Sequence, residues 1–181
     1  IETPSLNSNV IKKLENAAQH VRKSVSSELW KDNGASLNVN LGRKVFLQEE
    51  KAIKKLLQSM PKTVSDDSDM KDNTDDEGVD NDANEVITTT LSSGVKDQIT
   101  SVINHLVAID KKIAEDSIGA ANAYYTATTN TKTKQKIQGE ITKANAEMQK
   151  ALNDISKGDF HRAVLHYKEA WVHAQMALAI K

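Results

Sequence analysis

The sequence predicts an all-α protein, an up-and-down bundle of about five helices. Apolar residues recur at steps of three and four in five segments, which is the period of amphipathic helices. The 181 residues include only 2 prolines and 7 glycines, fewer than the turns of a β-sandwich require. Three of the four connections between these segments are short, and short connections make consecutive helices antiparallel neighbours. We expect one helical domain over residues 1–181, because this length suits a single core.

The first half of the chain contains two of these helices. The periodicity predicts a first helix over residues 6–29 and a second over about 43–59, which Pro61 ends because proline cannot continue a helix. Residues 35–42 between them alternate apolar and polar side chains. Since no partner strand is evident, we interpret this run as an extended connector.

The second half contains three more helices. The pattern predicts a third helix over about 87–125, a fourth over roughly 135–156 and a fifth over 160–180. Residues 126–134 between the third and fourth form a polar turn. Gly158 separates the last two helices and suits the left-handed conformation that commonly follows a helix end.

Charge is strongly segregated along the chain, although the formal net charge is only -1. Residues 1–62 carry 11 basic and 6 acidic side chains, residues 63–85 carry 1 and 10, and residues 86–181 carry 12 and 9. A segment this polar and acidic is typical of a solvated loop or linker. We therefore predict a long acidic loop insertion over residues 62–86, between helices 2 and 3.

The acidic loop is a candidate calcium site, because Ca²⁺ takes six to eight oxygen ligands. Oxygen-bearing side chains occupy alternate positions on both sides of Gly78, and the predicted ligands are Asn73, Asp75, Glu77, Asp80 and Asp82. Over residues 72–82 this pattern resembles the calcium repeats of thrombospondin type 3. It departs from them in having glutamate just before the glycine and acids two and four residues after it. The alternative is a solvated loop that binds nothing specifically.

The last helical hairpin carries a second pattern. Over residues 151–170 the positions Gly158, Phe160, Ala163, Tyr167 and Ala170 resemble the turn and second helix of a tetratricopeptide repeat. The signature of the first helix is absent, and one hairpin cannot form the groove of a repeat array. We interpret the motif as close helix packing rather than as a peptide-binding groove.

Three further segments, Leu29–Asp32, Gly42–Ala52 and Asp159–Ala174, together resemble helical modules of large secreted or cell-surface archaeal proteins. Such modules commonly adjoin acidic calcium repeats and immunoglobulin-like domains. The resemblance implies an extracellular or cell-surface location and a non-catalytic role.

Histidines offer a different interpretation. His166 and His173 lie seven residues apart and therefore project from nearly the same face of one helix. A bundle that brought His20 or His105 alongside them could bind copper or zinc. Because the chain has no cysteine, thiolate metal sites and disulfides are excluded.

Catalytic and nucleic-acid motifs are absent from the sequence. There is no G-x-S-x-G element, phosphate-binding glycine loop or Glu-x-x-His pair, and glutamate pairs such as Glu49–Glu50 are expected on exposed helix faces. Basic groups alternate with acids and aromatics are few, which argues against nucleic acid as a partner. No stretch approaches the 18 or so apolar residues of a membrane span, so we expect no membrane insertion.

These observations favour a non-catalytic extracellular or cell-surface module. It would serve as a stalk, spacer or protein-interaction domain, stabilised by calcium at its acidic loop, and its partner would be another protein or a cell-surface component. Two alternatives remain open: a metal- or small-ligand-binding bundle that uses the histidines, and an intracellular helical adaptor built on the terminal hairpin. The oligomeric state is not predicted.

Overall fold

A computed structural model describes residues 6–34, 36–61 and 91–181. These residues form an up-and-down bundle, which confirms the predicted fold class. The α-helices in the described residues are α1 (Ser8–Ser24), α2 (Arg43–Ser59), α3 (Ser93–Ala127), α4 (Thr131–Ser156) and α5 (Phe160–Ala179).

The connection between α1 and α2 differs from the prediction. Helix α1 ends at Ser24, and a short strand, β1 (Trp30–Lys31), pairs antiparallel with β2 (Ser36–Leu37). The prediction lacks this pairing because β1 is only two residues long and directly follows the segment predicted as the first helix. The Trp30 indole N–H donates to the Ser24 carbonyl at 2.8 Å, a bond that turns the chain back immediately after α1.

Side-chain caps set the start of two later helices. Ser92 caps α3 by accepting from the Val95 N–H, and Asn130 caps α4 by accepting from the Thr133 N–H at 3.0 Å. The cap at Asn130 starts α4 four residues earlier than the periodicity predicts. The polar turn predicted over 126–134 is correspondingly shorter. Gly158 takes the expected left-handed conformation, with φ of +77°.

Helix α5 is the centre of the bundle. It packs most extensively on α4, then on α3 and α2, whereas α1 packs on α2. The largest fully buried side chains are Trp171 and Tyr167 of α5 and Phe46 of α2, and the ring centroids of Phe46 and Trp171 lie 5.9 Å apart. Small buried residues let α4 and α5 approach closely, including Ala151 and Ala163.

Gly42 fixes the start of α2 against α5. A Cβ atom at this position would lie 2.8 Å from Cζ2 of Trp171 and 2.9 Å from the carbonyl oxygen of Asn38. Because real Cβ atoms do not approach other atoms so closely, a larger residue here would push α2 away from the indole.

Helices α1 and α2 run antiparallel. Lys13 Nζ donates to the Gln58 carbonyl at 3.2 Å, and towards the opposite end of the pair His20 Nδ1 lies 2.8 Å from Gln48 Oε1. As α1 proceeds towards its end, its partners therefore move back towards the start of α2.

Candidate functional site: an apolar groove between α1 and α3

Helix α3 also runs antiparallel to α2. Glu49 hydrogen-bonds Asp110, and seven residues further along α2 Leu56 shares a groove with Val102 of α3. Helices α1 and α3 therefore run in the same direction on either side of α2. In the described residues they make few contacts with each other, which leaves an open groove between them.

The groove has a volume of about 400 Å³ and is almost entirely apolar. Its floor is formed by α2 and its walls by α1 and α3. The lining residues are Leu14, Ala17, Ala18, Val21, Arg22, Leu56 and Val102. Six of the seven side chains are apolar, and the seventh is the charged side chain of Arg22. A molecule in the groove would therefore make mainly hydrophobic contacts.

The α1 wall has the spacing of a coiled-coil seam. Apolar side chains recur at alternating steps of three and four, at Ile11, Leu14, Ala18, Val21 and Val25. Ile11 is 42% exposed and Val25 62% exposed. A second face of α1, which includes the fully buried Val10, already packs on α2. Helix α1 thus has two apolar faces, but in the described residues it packs extensively on one helix.

The α3 wall continues the exposed apolar surface. Val102 is 44% exposed and Ile109, one heptad further along the helix, is 45% exposed. The side chains between them that point inwards, such as Ile103 and Leu106, are buried in the bundle. Val102 lines the groove, and Ile109 projects from nearly the same face of α3 one heptad further along.

A buried polar cluster lies where α1, α2 and α3 meet. It contains Ser24 and Asp110, both fully buried, and Glu49, which is 2% exposed. The adjacent Glu50 is 6% exposed and pairs with Lys54 Nζ at 2.8 Å. The expectation that Glu49 and Glu50 lie on an exposed face is therefore wrong, because other helices cover α2 on more than one side at this level.

Both oxygens of Asp110 and one oxygen of Glu49 are buried without a hydrogen-bond donor among the described residues. A hydrogen bond between the two carboxyl groups therefore requires that one of them carries a proton. Burial raises the pKa of Glu49 to about 7, although hydrogen bonds with Ser24 and Asp110 oppose the shift. Burial, and next the charge of Glu49, raise the pKa of Asp110 well above its ordinary value. The protonated form is therefore favoured in both groups relative to a solvated carboxyl group, and the charge of Glu49 opposes ionisation of Asp110.

Tyr167 of α5 lies close enough to this cluster to be influenced by its charge. Its hydroxyl group is buried and has no hydrogen-bond partner among the described residues. Burial, with the negative charges of Glu115 and Asp110, raises the pKa of Tyr167 to about 12. The phenol therefore stays neutral, and it adds no negative charge to the acidic pair.

The α4–α5 interface uses its ionisable groups differently. His173 Nδ1 lies 2.7 Å from Glu140 Oε2, and His166 Nδ1 lies 2.6 Å from Glu147 Oε2. Each glutamate also accepts from a lysine three residues later on α4. The heptad spacing of the histidines thus matches the heptad spacing of the glutamates on the antiparallel helix.

Burial and the neighbouring lysine and histidine side chains have opposite effects on the pKa values of these two glutamates. Burial alone would raise the pKa of Glu140 and of Glu147. Hydrogen bonds from lysine and histidine outweigh burial, so the pKa of each glutamate is lowered from its ordinary value.

The histidines proposed as metal ligands do not converge. His166 and His173 bind separate glutamates about 10 Å apart along α5. His20 pairs with Gln48, while His105 bonds back to the Ser101 carbonyl of its own helix. Among the described residues there is no cluster of three or more histidine, aspartate or glutamate side chains arranged to hold a metal ion.

The predicted calcium ligands, Asn73, Asp75, Glu77, Asp80 and Asp82, lie outside the described residues, as does the whole loop over 62–86. The calcium site therefore stays a prediction. In the part of the chain that is described, no helix combines the length and apolar character needed to cross a membrane.

Comparison with protein-family models, with curated proteins and with solved structures finds no match for this chain. The resemblances to archaeal surface modules, to a tetratricopeptide hairpin and to thrombospondin repeats therefore stay predictions. Any function assigned to the protein rests on the geometry of its own residues.

Sequence reasoning missed the groove, although a signal for it exists. Val10–Ile11 and Ala17–Ala18 are adjacent apolar pairs, and adjacent residues lie about 100° apart around a helix. Such pairs widen the apolar surface beyond what one neighbouring helix covers. A search for steps of three and four counts all of these residues as one apolar face and therefore predicts no exposed part.

Proposed function

We propose that this protein is a non-catalytic interaction module whose α1–α3 groove binds an amphipathic α-helix of a partner protein. The observation that carries the proposal is the groove itself, two apolar walls on parallel helices above an apolar floor. Clusters of exposed apolar side chains of this kind mark interaction sites in soluble proteins.

The dimensions and spacing of the groove favour a helix as the occupant. The α1 seam from Ile11 to Val25 extends over about 21 Å, the length of roughly four helical turns. Its alternating steps of three and four are the pattern that receives the side chains of a facing helix. A helix placed above α2 would complete a four-helix arrangement with α1, α2 and α3.

The energetic gain comes from side chains that water now reaches. Ile11, Val25, Val102 and Ile109 are each between 42% and 62% exposed in the absence of a partner. Covering this surface is favourable by about 25 cal/mol for each Å² of apolar area removed from water. Since these residues are exposed, substitutions can test the groove without disturbing the core.

A labelled 18-residue peptide provides the test of groove binding. It carries leucine at the two seam positions of each heptad and glutamine on both flanks, and fluorescence anisotropy measures its affinity. We expect V102E to weaken binding at least about tenfold, because it places a charge in an apolar contact. Equal affinity of wild type and V102E, or no binding to the wild type, would contradict the proposal.

The matched control for this experiment is L152E. Leu152 lies on α4, away from the groove, and is 41% exposed against 44% for Val102. Both substitutions put the same charge in place of an exposed apolar residue of a helix. L152E should therefore bind the peptide as the wild type does, and both variants should melt near the wild-type temperature.

The proposal extends to location and calcium. The acidic pattern at Asn73, Asp75, Glu77, Asp80 and Asp82, and the resemblance to surface modules, support an extracellular or cell-surface module that calcium stabilises. We expect millimolar calcium to raise the melting temperature relative to a chelator, by preferential binding to the folded state. An unchanged melting temperature together with no heat in a calorimetric titration would rule calcium out.

A further inference from the structure

We infer that the helix bound in the α1–α3 groove belongs to a partner protein and is acidic along the flank that faces Arg22. This inference rests on the proposed function and deepens it by giving the chemical class of the partner. The supporting observations are the position, the exposure and the unpaired charge of Arg22.

Arg22 is the charged exception among the residues that line the groove. It is exposed, and within the described residues it forms no ion pair or hydrogen bond through its side chain. Lys143 and Lys150 on α4 differ from Arg22, since each binds a glutamate three residues away. The guanidinium of Arg22 is thus available to a group from outside.

The position of Arg22 fits the flank of a docked helix. It directly follows Val21, a seam residue, and so occupies the place where charged side chains choose partners and orientation in coiled coils. Arginine can form a bidentate pair with a carboxylate, which makes the contact stronger than a pair with a single hydrogen bond. A basic flank would instead meet a like charge, which disfavours the wrong partner.

The surroundings of Arg22 reinforce the same preference. Helix α1 carries four basic residues, Lys12, Lys13, Arg22 and Lys23, and one acidic residue. On the opposite wall, the exposed side chains next to Val102 are Gln98 and His105, neither of which is an acid. Glu15, the acidic residue of α1, lies one heptad before Arg22 and does not line the groove. Arg22 is therefore the charged side chain that a docked helix would meet within the groove, and it complements an acidic residue on that helix.

The test uses two charged versions of the neutral probe peptide, with the same leucine seam and either glutamate or lysine at every flanking position. We expect the glutamate peptide to bind the wild type at least about threefold more tightly than the lysine peptide at low salt. R22E should reverse this preference. K23E makes the same change at the next residue, which faces away from the seam, and should preserve it.

The outcomes separate this inference from the proposed function. If both charged peptides bind equally and V102E abolishes both, the groove is a helix site but the acidic partner is wrong. If no peptide binds, the proposed function fails as well. If V102E converts a dimer to a monomer in sedimentation experiments, a second copy of the chain occupies the groove and the inference is overturned.

Discussion

The buried pair on α2 and α3 and the glutamates on α4 contain the same functional group, yet their pKa values move in opposite directions. Burial raises the pKa of Glu49 and of Asp110. The pKa values of Glu140 and Glu147 are lowered, although their side chains are only 15% exposed. Both sites are shielded from water, so limited exposure alone does not decide whether the pKa of a carboxyl group is raised or lowered.

The difference lies in the donors that surround each group. Glu140 and Glu147 each receive hydrogen bonds from a lysine and a histidine, which favour the charged form. Glu49 has Ser24 and a second carboxyl group beside it, so no cation compensates for the lost hydration. A buried carboxyl group without a neighbouring cation favours its protonated form, whereas one that accepts hydrogen bonds from lysine and histidine favours its ionised form.

Glu49→Gln should give the largest change in stability. Between pH 4.5 and about 7 the folded protein retains a proton on Glu49 that the unfolded chain has released, so stability falls as pH rises through this window. Removing the titrating group removes this loss. We expect E49Q to be more stable than wild type at pH 8 by up to about 3 kcal/mol, and nearly equal at pH 5.

Urea unfolding at several pH values measures this effect. Glu15→Gln is the control, because Glu15 is exposed on α1 and its loss should leave the pH dependence of wild type unchanged. If E49Q and wild type lost stability in parallel between pH 5 and pH 8, the buried pair would not hold the proton assigned to it.

Two alanine-to-leucine substitutions compare the packing of the same two regions. Ala163 is fully buried in the α4–α5 interface, whereas Ala18 lines the open groove. We expect A163L to destabilise the protein by about 1–3 kcal/mol through overpacking. A18L should change the free energy of unfolding by less than about 0.5 kcal/mol.

Both alanines lie inside helices, so the helix propensity of leucine contributes equally to the two variants. Chemical denaturation of A163L and A18L therefore measures how much of the change in the free energy of unfolding comes from packing. A similar loss in both variants would show that the groove between α1 and α3 is filled rather than open.

Glu147→Gln should change stability less than E49Q or A163L. The lowered pKa of Glu147 means that its contribution to stability is present above pH 4.5 and is lost as pH falls through the folded-state value. We expect E147Q to lose about 0.5–1 kcal/mol at pH 7, a modest amount because the pair is partly solvated.

Thermal melts from pH 7 down to pH 3 should show E147Q and wild type converging as the carboxylate is protonated. Glu169→Gln is the comparison variant, since Glu169 is 45% exposed and pairs with an adjacent lysine on the surface. A difference between E147Q and wild type that stayed constant over this range would contradict the assignment of the ion pair.

The helical fold could be predicted because its signals are local. Repeated steps of three and four indicate helices, Pro61 and Gly158 separate them, and short connections make neighbours antiparallel. The errors in the predicted helix bounds occur at helix ends, where a single hydrogen bond can decide which residue is the first or last of the helix. The Trp30 indole ends α1 early, and the Asn130 cap starts α4 early.

The candidate site could not be predicted in the same way. The seven-residue spacing of His166 and His173 can be read from the sequence. Their partners, Glu147 and Glu140, become neighbours only when α4 and α5 pack antiparallel. Glu49 falls at the apolar spacing of its helix, between Phe46 and Ile53, and Asp110 falls at that of α3, between Leu106 and Ala114. This spacing is a local sign of burial, but it does not show that the two carboxyl groups meet.

The sequence by itself determined which segments form helices, which faces of them are apolar and where charge accumulates. The tertiary structure decided which apolar faces are covered, because that depends on how many neighbours each helix acquires. Helix α5 is surrounded and its apolar faces form the core, while α1 packs on α2 and leaves part of its apolar surface open. The same kind of side chain is therefore buried in the core at Val164 and lines an open groove at Val102.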